Sequence, residues 1–480
     1  MTGAITTVVR FASLDRWDAQ TIPQEVTYVW PAAPLGDVAE IRLGVQVPRK
    51  GSKPHGVARP YLRSINVRRG FVDLSDLKEM HVSQSQAEAL ALQAGDLVFV
   101  EGSGSVTEVG RTAIWNGDLP EVIHQNSVIR ARLNNPALDP EFVVTWFNSR
   151  AGNAYVREHA TTTSGLYHLG AGKLAGAPVP QPPLDIQRQL VAEYKATRDS
   201  AARASHDAGA LKDSAWEEFC TRLVETPDAA TASDIVVIAS FSMLDRWDTN
   251  HAPTSLQSPY PLVTLADVAE IRLGTQVPRK GSRAEGIEVP YLRAKSVQLG
   301  YIDFDDLKSM TVPPITVERL ALETSDVLFV EGNSREEVGR AAVWEDTGTT
   351  TIIQNSVIRA RLHCDDLDPE FVVTWFNSDA GRAYARGHAT TTTGSLWHIG
   401  AGKLAQAPIP LPPIEEQRRL VAKLKEDLAA AKAREEEFVR LREEAEQMLE
   451  SSLIHFALPE RGAGLAETSS AAISSTTRRC

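Results

Sequence analysis

The chain has little cysteine, no long apolar stretch, and none of the glycine-rich signatures that cradle phosphates. Its three cysteines, Cys220, Cys364 and Cys480, stand far apart. They form neither a metal spacing nor a disulfide framework, which predicts a reducing compartment, the cytoplasm. No apolar run approaches the ~20 residues that span a bilayer, so no membrane partner is expected. The first ten residues, Met-Thr-Gly-Ala-Ile-Thr-Thr-Val-Val-Arg, lack a basic segment followed by an apolar core, so no secretory signal is expected. There is no Gly-x-x-x-x-Gly-Lys-Ser/Thr loop and no Gly-x-Gly-x-x-Gly after a strand. There is no Gly-x-Ser-x-Gly elbow and no Asn/Asp-Pro-Pro-aromatic motif of the kind amino-methyltransferases use. No catalytic constellation emerges; no catalytic residue, metal ligand or cofactor is predicted.

What is present is ordinary in bulk. Of 480 residues, 42% are hydrophobic and 23% charged, which fits a globular chain of more than one domain. The net charge of −12 argues mildly against nucleic acid, although an overall charge can hide a local patch.

The chain repeats itself. Phe-Ala-Ser-Leu-Asp-Arg-Trp-Asp at Phe11 returns as Phe-Ser-Met-Leu-Asp-Arg-Trp-Asp at Phe241. Asp37 to Gly44 returns unchanged at Asp267 to Gly274, Gln125 to Leu133 at Gln354 to Leu362, and Phe142 to Ser149 at Phe371 to Ser378. The offset is 230, falls to 229 after a Gly-rich loop, and recovers in a threonine run, so that His168 matches His398. A unit this long is a duplicated domain. Within it, short strand signals alternate with turn residues. Asp139-Pro140-Glu141 then opens a helix with Phe142, Trp146 and Phe147 on one face, read as core.

Each copy ends on a proline-rich join, Pro178 to Val191 and Pro408 to Lys425, leading into an unbroken helical pattern. Proline ends a sheet yet is tolerated in a helix's first turn, and Asp185, Glu415 and Glu416 suit the positive end of a helix dipole. In the first helix Leu190, Tyr194, Thr197, Ala201, Ala204, Ala208, Leu211 and Ala215 fall at steps of four and three. In the second, Leu420, Leu424, Leu428, Ala431, Phe438, Leu441, Ala445 and Met448 make a less regular seam. Two solvated helices, each on its own globule, would be the plainer reading. Seams this narrow favour pairing of the helices with each other. The expected organisation is a globule over 1–180, a helix over 181–225, a linker over 226–234, a second globule over 235–410, a helix over 411–456 and a disordered tail over 457–480. The fold class is α+β.

Between Ile41 and Val72 stand eight basic residues (Arg42, Arg49, Lys50, Lys53, Arg59, Arg63, Arg68, Arg69) and no acidic one. Ile271 to Ile302 holds Arg272, Arg279, Lys280, Arg283, Arg293 and Lys295 with Glu285 and Glu288. Both windows contain Val-Pro-Arg-Lys-Gly-Ser, at Val47 and Val277. Charge beside unhindered Gly and Ser backbone suits phosphate contact, so Arg49, Lys50, Ser52 and Lys53, with Arg279, Lys280, Ser282 and Arg283, are candidate DNA contacts. Arg63, Arg68, Arg69, Arg293 and Lys295 extend the same windows. Arg111 and Arg340, with Arg130 and Arg359, form a second arginine group able to read guanine; Gln125 and Asn126, repeated at Gln354 and Asn355, suit adenine. Such residues equally cap turns. The hydroxyl runs, with Thr162 and Thr391, suit phosphate or bases. His168 and His398 have no carboxylate near in sequence and are expected to be loop or core residues.

The pattern resembles the DNA-specificity (S) subunits of type I restriction–modification systems over about residues 11 to 455. The resemblance rests on Leu-Gly-x-x-Val-Pro (Leu43 to Pro48), Pro60 to Asp73, Gly-Asp-Leu-Val-Phe…Val-Gly-Arg (Gly95 to Arg111), and most specifically Pro-Leu-Pro-Pro-Ile-Glu-Glu-Gln (Pro410 to Gln417) leading into a long helix. The first copy departs there, with Asp185-Ile186 for Glu415-Glu416, although Gln187 matches Gln417. The resemblance implies two target-recognition domains and two spacer helices paired antiparallel as a coiled coil, pseudo-twofold symmetric. It further implies a non-catalytic subunit bound to double-stranded DNA, to two methyltransferase subunits and, in the full complex, to translocating nuclease subunits. Each domain would read half of a split site, and domains this alike would read nearly palindromic half-sites. Two rivals are a fused nuclease or methyltransferase, against which the missing motifs count, and a DNA-mimicking inhibitor, suggested by the −12 charge and opposed by the basic windows. Another phage-defence methylation complex would use the same kind of subunit.

Overall fold

The computed structural model describes residues 26–47, 56–163, 165–225, 256–278, 286–305, 307–391 and 396–456. The repeated Phe11 and Phe241 segments, both Val-Pro-Arg-Lys-Gly-Ser loops beyond Val47 and Pro278, the expected linker and the expected tail lie outside these. The chain divides into two compact units, Met1–Arg203 with Glu437–Cys480, and Ala204–Glu436. Each unit therefore holds one globule and parts of both long helices, a division that residue order along the chain does not suggest. Among the described residues no helix is long and apolar enough to cross a membrane.

The first unit is built on a four-stranded antiparallel sheet ordered Ala39–Leu43, Val128–Leu133, Leu97–Val100, Thr112–Ile114. Leu97 to Val100 are buried throughout because both faces of this strand are covered, which is why the run is apolar without alternation. A second sheet joins Lys78–Val82 and Ile123–His124 to the two sides of Val57–Leu62. A third, small sheet joins Gly102–Ser103 to the hairpin Thr161–Thr163 and Leu166–His168. Helix Pro140–Asn148 starts where expected: Asp139 caps it by accepting from the Glu141 amide at 2.9 Å, and Pro140 takes a position needing no amide hydrogen. Phe142, Trp146 and Phe147 are core residues as expected, Phe147 meeting Phe99 edge-on with centroids 5.1 Å apart. The second unit repeats the plan with strands Ala269–Leu273, Val357–Leu362, Val327–Val330 and Ala341–Val343. Its small sheet is made of Gly332–Asn333, Trp397–His398 and Thr390–Thr391.

Two helices of 40 residues, Leu184–Leu223 and Ile414–Leu453, begin at the proline joins. The glutamine common to both joins has a defined task. Gln187 is fully buried; its amide donates to Pro182 O at 2.7 Å and Ala137 O at 2.8 Å, and its Oε1 accepts from the Asp139 amide at 2.8 Å. Gln417 does the same with Pro412 O, Asp366 O and the Asp368 amide. One side chain thus ties the start of the long helix to the capping residue of helix Pro140–Asn148 or, in the second unit, Pro369–Asn377.

The long helices pair within each unit. In the first, Leu190 and Val191 share a core with Leu449, Leu453 and Ile454, and Tyr194 Oη donates to Glu446 Oε1 at 2.8 Å. Arg150, opening helix Arg150–His159, holds Glu443 at 2.9 Å and Glu450 at 2.7 Å, and these carboxylates hold its guanidinium firmly charged. Val26–Tyr28 then pairs antiparallel with Ile454–Phe456. In the second unit Ala215, Phe219 and Leu223 share a core with Leu420, Val421 and Leu424. The expected seam is interrupted at Leu211, which is 39% exposed; Ala201, Ala204 and Ala215 are buried.

Candidate nucleic-acid interface

The residues expected to read bases sit on a turn pinned from three sides. Gln125 to Val128 closes tightly, the Val128 amide donating to Gln125 O at 2.8 Å. The Gln125 amide donates to Leu62 O at 2.9 Å and the Asn126 amide to Val45 O at 2.9 Å. Ser127 Oγ accepts from the Ser64 amide at 3.3 Å, while Ser127 O accepts from the Glu101 amide at 2.9 Å. Gly44 makes this approach possible, since a Cβ there would lie 2.2 Å from Gln125 O. That explains a glycine at the end of the invariant Asp37 to Gly44 repeat. The second unit is the same: Gln354 to Leu292 O at 2.8 Å, Asn355 to Thr275 O at 2.9 Å, Ser356 Oγ accepting from the Ala294 amide at 3.1 Å, and Gly274 with no room for a Cβ. In each turn the glutamine and asparagine amides and the glutamine and serine carbonyls are engaged. Among the described residues, the side-chain amides of Gln125, Asn126, Gln354 and Asn355 make no hydrogen bond, and none of the four is buried. Each amide carries a donor and an acceptor side by side, the arrangement that recognises adenine N6 and N7.

The basic window is less basic in space than in sequence. Arg59 meets Glu121 at 2.9 Å, Arg63 meets Asp76 at 2.7 Å, Arg42 meets Glu40 at 3.4 Å, Arg68 meets Asp73 at 3.6 Å and Arg69 meets Glu108 at 3.7 Å. Asp73 is held below the usual carboxylate range, first by hydrogen bonds from Ser75 and then by Arg68, and Asp76 by Arg63. Every described cation of the window thus has an anion beside it; Arg49, Lys50, Ser52 and Lys53, like Arg279, Lys280, Ser282 and Arg283, lie outside the described residues. Lys295 is exposed and Arg293 half-buried. Thr162 is exposed on the hairpin opposite Tyr167, and Thr391 is half-buried opposite Trp397.

The second arginine group is engaged by the protein's own carbonyls and carboxylates, with Arg130, Arg340 and Arg359 buried and Arg111 half-buried. Arg130 and Arg359 are each 2% exposed. Arg130 reaches Glu40 at 2.9 Å and Ala89 O at 3.2 Å; Arg359 reaches Glu270 at 3.2 Å and Ala321 O at 3.0 Å. Burial lowers both guanidinium pKa values. Arg111 binds Val67 O at 2.7 Å, Ser64 O at 2.8 Å and Glu108, and Arg340 binds Val297 O, Ala294 O and Glu337. These hydrogen bonds tie the arginines to neighbouring backbone carbonyls.

One feature was not readable from the sequence. His168 Nδ1 lies 3.3 Å from Glu101 Oε2, and His398 Nδ1 lies 3.0 Å from Glu331 Oε2. The partners are 67 residues apart in the chain, so no local pattern joins them. The available signal was identity: Phe99-Val100-Glu101-Gly102 recurs as Phe329-Val330-Glu331-Gly332, and His168 as His398.

No family model matches the chain. It is 33% identical over 161 residues to the type I restriction enzyme EcoKI specificity subunit of Escherichia coli (strain K12). That match covers 32% of this chain and 32% of the relative, so the chain spans about a third of the length of the curated relative it matches. In fold it aligns with a chain from a solved type I R-M system, with a TM-score of 0.58 and 19% identity, over 90% of this chain and 99% of that one. An HsdS subunit from Thermoanaerobacter tengcongensis aligns with a TM-score of 0.46 and 18% identity, over 88% and 96%. The chain is therefore similar in sequence, over that third, to a type I restriction specificity subunit, and it has the mixed helix-and-sheet fold of a chain of a type I R-M system.

Proposed function

We propose that the chain is the DNA-recognition subunit of a type I restriction–modification complex, non-catalytic itself and cytoplasmic. It reads a bipartite, near-palindromic duplex site and positions methyltransferase subunits, two of them, and nuclease subunits in the full complex. Residues 1–180 and 235–410 are its recognition domains, and 181–225 and 411–456 its spacer helices.

The observation that carries this reading is the pair of identical turns, Gln125-Asn126-Ser127 and Gln354-Asn355-Ser356. Each is rigid in its backbone and open in its side chains, as a base-reading element must be. The similarity to a specificity subunit supports it. Positioning on phosphates falls to the loops that begin next to these turns, at Val47 and Val277, with Arg49, Lys50, Ser52 and Lys53 and their counterparts Arg279, Lys280, Ser282 and Arg283 as contacts. Arg63, Arg68, Arg69, Thr162, Arg293, Lys295 and Thr391 are further candidate contacts. Arg111, Arg130, Arg340 and Arg359 support the readers from behind.

The test is binding of the full chain to a randomised duplex library at two salt concentrations. The expected result is enrichment of two half-sites at a fixed spacing, with affinity falling as salt rises. Enrichment of no sequence would overturn the proposal.

A further inference from the structure

We infer that His168 and His398 are base-contacting residues, one in each half of the chain, each presenting Nε2 as a hydrogen-bond acceptor because a glutamate fixes the proton on Nδ1. This rests on the DNA-reading proposal and adds a recognition element that the glutamine–asparagine turns do not contain.

The geometry begins at the small sheet. His168 pairs across it with Gly102, and His398 with Gly332. The ring lies against the glycine: a Cβ at Gly102 would come 3.1 Å from His168 Nδ1, and one at Gly332 would come 2.7 Å from His398 Nδ1. The residue before each glycine supplies the carboxylate, Glu101 or Glu331. That glutamate's amide donates to Ser127 O or Ser356 O at 2.9 Å, and its carbonyl accepts from Leu169 at 2.8 Å or Ile399 at 2.9 Å. Ring, carboxylate and reading turn are thus one hydrogen-bonded block, built twice.

An ionised carboxylate only accepts, so the facing Nδ1 carries the hydrogen, and in that tautomer of the imidazole the lone pair is on Nε2. Nε2 has no partner among the described residues, and each imidazole is 34% exposed. In the major groove an acceptor suits an exocyclic amino group, adenine N6 or cytosine N4, and is unsuited to guanine O6 or thymine O4. The surroundings differ between the copies. Ser103 and Tyr167 occupy the register positions of Asn333 and Trp397, and Arg335 lies over the Trp397 ring with its guanidinium carbon 5.1 Å from the centroid. The histidines therefore read a base pair common to the two half-sites, beside positions at which the half-sites diverge.

The experiment repeats the library selection with His168→Ala, His398→Ala and Glu101→Gln in the full chain. His168→Ala should lower the preference at one base pair of one half-site by about fivefold or more, leaving the other half-site unchanged; His398→Ala should do the converse. Glu101→Gln, which can donate to Nδ1 as well as accept from it, frees the tautomer. It should relax discrimination between amino-bearing and carbonyl-bearing bases at the same base pair as His168→Ala. Unchanged preference at every position, or equal weakening at all of them, would overturn the inference. If the parent chain selects no sequence, the DNA-reading proposal falls and this one with it. If it does select one and His168→Ala keeps the full preference, only this inference falls.

Discussion

Replacing His124 by isoleucine, the residue the second copy carries at Ile353, should remove a pH dependence confined to the first unit. His124 is fully buried. Its Nδ1 donates to Val128 O at 2.9 Å, while Nε2 is buried with no partner. Burial pushes its pKa down to about 4; the nearby Arg130 and Arg42 press in the same direction, and Asp96 and the Val128 carbonyl oppose them. In the unfolded chain the ring titrates near the ordinary 6.5. Between these values the unfolded state takes a proton that the folded state refuses, so acidification favours unfolding. The contribution is complete above pH ~6.5 and declines as pH falls toward ~4, by at most about 1.4 kcal/mol per pH unit. From pH 7 to pH 5 the parent should lose about 2 kcal/mol through this one group, or roughly 4–8 °C in the melting temperature of a unit this size. Other groups titrate in both proteins, so the informative quantity is the difference between parent and His124→Ile in urea or thermal unfolding across that range. The variant also loses an unsatisfied nitrogen and should be no less stable at pH 7. Parallel pH profiles for the two proteins would refute the reasoning.

Other consequences are direct. Gln187→Leu or Gln417→Leu breaks three buried hydrogen bonds and leaves their partners unmet, costing about 3 kcal/mol or more in chemical denaturation; a loss under ~1 kcal/mol would show the join is not held this way. Arg49→Ala with Lys50→Ala should weaken DNA binding across sequences and lower the salt slope by roughly two units; an unchanged slope would return that loop to plain solvent. Gln125→Ala should relax one half-site and Gln354→Ala the other, each by about 1–3 kcal/mol at the affected base pair in competition binding; loss spread over both half-sites would contradict separate readers. Deleting seven residues from each long helix should shorten the spacer between half-sites by about 3 bp, seven residues being ~10 Å of helix; an unchanged spacer would show that the helices do not set that distance.

The sequence carried the duplication, the core face of Phe142, Trp146 and Phe147, and a long helix after each proline-rich join. The first is plain identity between two segments, and the others depend on short-range periodicity or capping, which a chain displays in order. It misled where partners come from far away. The window Ile41 to Val72 has no acidic residue, yet Asp73, Asp76, Glu108 and Glu121 are folded onto it. Arg130 lies in a strand whose apolar and basic residues alternate, and nothing local tells that both faces of that strand are covered. Gln187 and Gln417 were visible as a shared letter of a motif, but their task appears only when Ala137 and Asp139, or Asp366 and Asp368, come alongside. The His168–Glu101 pairing was hidden for the same reason.

The most direct test of the account is the methylation pattern of native DNA, read by sequencing, from cells carrying this chain with its neighbouring genes. The account predicts one modified motif made of two nearly inverted half-sites separated by a fixed number of unread bases. A single continuous motif, two unrelated half-sites, or no methylation dependent on this chain would contradict it.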